Sequence, residues 1–195
     1  MPQTDLDVLV IVGSPHERGK SAHVAQAIEQ RLSRYGVKPT VWDLAEHPVA
    51  GCYNCKGCQL TGNCRIVNDP FPVLARHMVS ADLAFLVAPV YFAGPPAHLK
   101  ALLDRCQMFW ARKYVLKRDV PPKRPLHLIV LGDGGDPFGS EPLETSCTSA
   151  MNCANLRIEG NIHRIIGREF EPGELEDIVD GALRDIGWLE QESAR

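Results

Sequence analysis

Apolar residues in this chain come in short unbroken runs, separated by stretches where they recur every three or four positions. Leu6, Val8, Leu9, Val10, Ile11 and Val12 form the first run, which reads as a strand buried on both faces, as in a parallel sheet. Ala25, Ile28, Leu32 and Tyr35 then fall at helical spacing, and Gly36 supplies a stop. The same reading predicts strands over 37–44, 82–88, 126–131 and 157–165, and helices over 71–79, 95–109, 140–154 and 174–189. Residues 112–125 are basic and Pro-rich and are expected as an exposed loop. Strands alternating with helices imply an α/β fold, a three-layer sandwich around a mostly parallel sheet.

Five strands favour the flavodoxin-like order 2-1-3-4-5 of a five-stranded parallel sheet, with ligands at the carboxyl ends of the strands. The length suits a single domain over 1–195, with a cysteine-rich loop inserted at 50–69. A formal net charge of −3 gives no electrostatic case for nucleic acid or an anionic membrane surface. No stretch approaches the roughly 20 apolar residues of a membrane span, and MPQTDLD lacks the basic start and apolar core of a signal peptide, so a cytoplasmic location is expected. In that reducing setting, seven cysteines argue for metal binding, catalysis or plain burial over a disulfide framework.

The strand ends carry the candidate chemistry. The first, GSPHERGKS (13–21), has the hydroxyls of Ser14 and Ser21, permissive glycines at Gly13 and Gly19, and positive charge from Lys20 or a protonated His16. Together with a helix N-terminus this suits a phosphate, although a tight strand-to-helix turn would look the same. The stretch also approaches the nucleotide loop G-x-x-x-x-G-K-[ST], which would make the protein a phosphotransferase. It carries one residue too many between Gly13 and Gly19, and no apolar strand ends in a convincing magnesium-binding acid. The second end is PVYFAGPP (89–96), and the third is GDGGD (132–136), where Gly132, Asp133 and Gly134 could approach a ligand or simply turn.

Cys52, Cys55, Cys58 and Cys64 give C-x2-C-x2-C-x5-C. Three thiolates at three-residue steps can wrap one compact centre with a fourth closing it, the habit of iron–sulfur sites; four thiolates also suit zinc, as in a zinc-stabilised interaction module. Thiols with no metal are the third reading. Cys106, Cys147 and Cys153 sit in predicted helices and are expected to act as small hydrophobes.

The 13–21 loop resembles GSPR-x-x-GNT of the NADPH-dependent FMN reductase group, with Gly13, Ser14, Pro15 and Gly19 matching. His16 stands for the arginine, Lys20 for the asparagine and Ser21 for the threonine. Residues 89–105, with Leu99-Lys100 and Asp104-Arg105, resemble the group's PVYW-G…LK-x-x-x-DR segment. The resemblance implies FMN, with its phosphate on Ser14, His16, Gly19, Lys20 and Ser21 and its ring along Pro89, Val90, Tyr91, Phe92, Ala93 and Gly94. Lys100 and Asp104, at i,i+4, are expected to pair on the surface. The cysteine spacing resembles that of the iron–sulfur flavoproteins, which implies a [4Fe–4S] cluster beside FMN. The implied activity is oxidoreduction, with NAD(P)H as donor, a small-molecule or protein electron acceptor, and assembly as a homodimer or homotetramer.

Overall fold

A computed structural model describes residues 6–189; residues 1–5, most of the stretch on which the reading of the N-terminus rests, lie outside them, as do 190–195. Six strands, Val8–Val12 (β1), Thr40–Asp43 (β2), Leu83–Pro89 (β3), Arg124–Gly132 (β4), Leu156–Arg157 (β5) and Ile162–Ile166 (β6), form one sheet. Every pairing in it is parallel, and the order is β2-β1-β3-β4-β5, with β6 also on β4. The helices are Lys20–Ser33 (α1), Gly57–Thr61 (α2), Phe71–Ser80 (α3), Ala97–Arg105 (α4), Gln107–Trp110 (α5), Glu141–Cys153 (α6) and Glu174–Asp185 (α7). This is the flavodoxin-like arrangement.

The unbroken apolar runs follow from burial on both faces. Val8, Val10, Val12, Leu83, Phe85 and Val87 face one core with α1 and α7, while Leu9, Ile11, Ala84, Leu86, Leu128 and Val130 face another with α3, α4 and α6. Val24, Ala25, Ile28 and Leu32 give α1 its buried stripe, and the Arg31 guanidinium clamps α1 to α7 through both oxygens of Asp180, at 2.8 and 2.5 Å. At the end of β1, a Cβ on Gly13 would come within 2.9 Å of Leu99 and 3.2 Å of the Val87 carbonyl, so glycine lets α4 close on the sheet. Cys106 and Cys147 are buried in the second core, where burial pushes both thiols up.

Three expectations change. The strand expected over 157–165 is divided: β5 pairs with Arg124 and Pro125, the chain turns at Gly160, and β6 resumes beside Leu128. Pro125 has no N–H to continue the ladder at that point. The helix expected over 95–109 breaks at Cys106, whose N–H is shared between the carbonyls of Leu102 and Leu103. The basic stretch 112–125 is not a free loop. Ala111–Val115 is a π-helical turn, Arg112 donates to the Gly62 carbonyl at 2.6 Å, and Lys113 donates to Asn155 at 2.6 Å. Arg124 is buried and collects the carbonyls of Met78, Val79, Ala81 and Ala154, where α3 and α6 end. Carbonyls left open at helix ends make a site for a guanidinium.

Candidate functional site

The carboxyl ends of β1, β3 and β4 bring the loops 13–21, 89–96 and 132–139 to one edge of the sheet. They are tied to one another: Gly13 N–H donates to Val87 O at 2.8 Å, and Val90 N–H to Leu131 O at 2.8 Å. Lys20 lies 4.0 Å from Asp133.

In the first loop the N–H groups of Ser14, Glu17, Lys20 and Ser21 have no acceptor among the described residues. Two of them open α1, where the helix dipole adds positive potential. Ser21 is buried and its hydroxyl makes no hydrogen bond to another described residue. Ser14 is buried too, but its hydroxyl folds back on the loop, accepting from His16 N–H at 3.0 Å. His16 is exposed, and its Nδ1 accepts from Arg18 N–H at 3.2 Å, which leaves Nε2 as the free ring nitrogen. Gly19 has φ −85°, a value open to any residue, and a Cβ there would meet nothing closer than 3.5 Å.

Lys20 is drawn away from the loop. Its ammonium sits 2.9 Å from Glu169, whose hydrogen bond and charge raise its pKa. The lysine that a nucleotide loop needs over its phosphates is therefore engaged elsewhere. Arg18 is not among the residues the motif marks, yet its exposed guanidinium has no partner among the described residues. It stands two residues past the place where the resembling motif carries its arginine, and that offset was the only signal in the sequence.

The second loop leaves β3 at Pro89 and makes a tight turn in which Tyr91 and Gly94 exchange both backbone hydrogen bonds, at 2.9 and 3.0 Å. Its central residues Phe92 and Ala93 have φ of 50° and 60°, the type I′ geometry that costs a non-glycine residue about 1–2 kcal/mol. Ala93 is buried, Tyr91 is half exposed, and Phe92 is 99% exposed. The third loop turns through Gly134 and Gly135, both left-handed at φ 83° and 84°, so glycine is required there. Asp136 accepts the Phe138 N–H at 2.9 Å, and the Phe138 ring stands 77% exposed. Between these loops lies a cleft of about 280 Å³, lined by Val90, Phe92, Gly132, Asp133, Gly134 and Ile166 among others. It offers apolar side chains beside open backbone, which suits the edge of a flat ring.

Cys52, Cys55, Cys58 and Cys64 line a separate pocket with Arg65, Arg105 and Met108, and it shares no lining residue with the cleft. Asn54 and Lys56 are left-handed, at φ 55° and 58°, which turns successive N–H groups inward. Asn54 N–H reaches Cys52 Sγ at 3.4 Å. The Gly57 N–H, with the Tyr53 hydroxyl and Arg65, lowers the Cys55 pKa, whereas burial raises that of Cys58. Arg105 closes the base of the loop. Fully buried, it donates to Ala50 O at 2.9 Å, to Ile66 O at 2.8 Å and to Asp69 at 2.7 Å. Burial alone would raise the Asp69 carboxyl, but Arg105 and the N–H groups of Ala50 and Phe71 hold it below the ordinary range. Lys100 and Asp104 form the expected surface pair at 2.6 Å. Among the described residues, no three His, Cys, Asp or Glu side chains converge as ligands of a single metal ion. Four thiols line one pocket, with N–H donors on Cys52 and Cys55, a donor set whose chemistry fits an iron–sulfur cluster or a zinc ion.

The family described as NADPH-dependent FMN reductase matches residues 6–132. An iron–sulfur flavoprotein of Methanocaldococcus jannaschii is 32% identical over 100 residues, 51% of this chain and 51% of that protein. The match thus spans about half the length of that relative. Another, from Methanosarcina thermophila, is 28% identical over 170 residues, 87% of this chain and 84% of its own. Among solved structures, RosB with a bound flavin-phosphate intermediate superposes with a TM-score of 0.67 at 10% identity, covering 97% of this chain and 82% of its own. The apo form of an NADH:FMN oxidoreductase gives 0.60 at 14% identity, covering 92% and 89%. These two likenesses speak for the fold.

Proposed function

Because the chain belongs to the NADPH-dependent FMN reductase family, we propose that it is an FMN-dependent oxidoreductase supplied by NAD(P)H. The observation that carries the reading is the first loop: N–H groups without an acceptor among the described residues gather with the buried Ser21 hydroxyl at the start of α1, on the same sheet edge as the cleft. In this reading Ser14, Glu17, Lys20 and Ser21 hold the phosphate through backbone N–H groups. Ser21 adds its hydroxyl, His16 its Nε2 and Arg18 the positive charge. Pro89, Val90, Tyr91, Phe92, Ala93 and Gly94 lie along the ring, with Gly132, Asp133 and Gly134 at its edge. FMN, when bound, accepts a hydride and can release electrons singly, and a cluster relays single electrons. The chain's own part is to bind and orient.

Cys52, Cys55, Cys58 and Cys64 are proposed to hold a [4Fe–4S] cluster, as the names of the two relatives suggest. We read the chain as one unit with the 50–69 loop as its insertion, acting in the cytoplasm on a small-molecule or protein acceptor. The cysteine pocket and the cleft stand apart within one subunit, and Phe92 is uncovered, which supports a homodimer or homotetramer in which a neighbour completes the site; sedimentation as a monomer sinks that part.

The test is anaerobic reconstitution of the purified chain with FMN, iron and sulfide, followed by its visible spectrum and by iron, sulfide and zinc analysis. Flavin bands with about four irons per chain are expected. Flavin bands without iron overturn the cluster and keep the reductase, and a colourless zinc protein overturns both.

A further inference from the structure

We propose that Glu144 is the positioning residue that sets both loops of the cleft, acting through Ser140, Arg164 and the Leu143 N–H; the inference rests on the FMN reading. Glu144 lies in the first turns of α6, and its side chain is only 8% exposed. Its carboxylate accepts the Ser140 hydroxyl at 2.7 Å and the Arg164 guanidinium at 2.6 and 2.5 Å, one bond to each oxygen from the fork. Ser140 is the N-cap of α6, yet its side chain makes no capping bond and turns to Glu144 instead.

Ser140 and Arg164 each neighbour a residue that lines the cleft. Ser140 follows Gly139, where the third loop ends; Arg164 precedes Ile166 on β6 by two residues; Gly139 and Ile166 both line the cleft. The second loop is tied by Leu143, whose N–H is one of the donors left open at a helix start and reaches the Ala93 carbonyl at 3.0 Å. That bond matters because Phe92 and Ala93 stand in left-handed conformations without being glycine. Such a turn persists only where its surroundings determine it. The Ala93–Leu143 bond is the contact from α6 that does so, and Glu144 fixes where α6 begins. A buried carboxylate satisfied by a bidentate guanidinium and a hydroxyl is rigid, so both loops are shaped before a ligand arrives.

The experiment titrates the full-length apoprotein with FMN and with riboflavin, followed by flavin fluorescence. It compares wild type, Glu144→Gln, and Glu144→Gln combined with Ala93→Gly. Glu144→Gln is expected to weaken both ligands by about tenfold, the size of one charge-assisted hydrogen bond, because the ring and not the phosphate loses its support. Ala93→Gly relaxes the left-handed turn and is expected to return most of that affinity, while the thermal midpoint stays as low as in Glu144→Gln. A merely structural role would lower the midpoint with no such recovery. Equal affinities in wild type and Glu144→Gln overturn the inference, as does a loss that Ala93→Gly does not repair. If Glu144→Gln does not fold, Ser140→Ala carries the same expectation at about threefold, with unchanged affinity overturning it. Wild type that binds neither flavin overturns the FMN reading and the inference together, whereas flavin binding that ignores Glu144 overturns the inference alone.

Discussion

In the anion loop, donors and charge come from different residues. Ser14 engages its hydroxyl in its own loop and Lys20 its charge with Glu169, so the proposed phosphate site draws more on Ser21 and Arg18 than the motif implies. Ser21→Ala is expected to weaken FMN by about tenfold, the value of a hydrogen bond to a charged group, and to leave riboflavin binding unchanged. Arg18→Ala should act in the same direction, and equal loss for the two flavins in both variants would contradict the assignment. A second pair was not legible at all. His127 and His163 stack 5.4 Å apart, 36 residues apart in sequence, with ring nitrogens at 3.2 Å. Burial first, and His163 second, push His127 down to about 4, against about 6.5 for a free histidine. Between those values the unfolded chain binds a proton that the native state refuses, so stability rises with pH across that window and falls on acidification. The shift corresponds to about 3 kcal/mol. Thermal midpoints should drop between about pH 6.5 and pH 4, and His127→Phe should flatten the dependence; an unchanged slope contradicts this reading.

Among the elements, legibility followed burial. β1, β3 and β4 were readable because both faces are covered, leaving apolar runs with no polar alternation to confuse them. Helix α2 was not, since five residues containing Gly57 and Cys58 carry no period. Residues 112–125 misled because arginine and lysine read as solvent-facing, whereas here Arg112, Lys113 and Arg124 satisfy carbonyls left open in the loop and at helix ends. Arg105 shows the same thing with consequences for the cysteine site, because it joins Ala50, Ile66 and Asp69. Arg105→Met leaves Asp69 without its charge partner, a change worth about 3–5 kcal/mol for a buried pair. Limited proteolysis should then cut first within 50–69, and bound iron per chain should fall while FMN affinity holds. A variant that loads iron as wild type does would remove the clamp from the account.

At the scale of the whole molecule, the order of the sheet does what no motif could show: it sets three loops, far apart in sequence, along one edge. The loops proposed for the phosphate and the ring could be singled out because each sits directly after a buried strand, where such folds bind ligands. The meeting of Ser140, Glu144 and Arg164 was not legible, since it depends on the Glu144 side chain of α6 reaching the Arg164 guanidinium on β6. The proposed function requires that this edge hold FMN in a form that NAD(P)H reaches. The most direct measurement is the visible absorption of the FMN-loaded chain as NADPH or NADH is added without oxygen. Loss of the flavin bands on addition, and their return when air is admitted, is the predicted result. Failure to retain FMN, or bands that persist with either nucleotide, would contradict it.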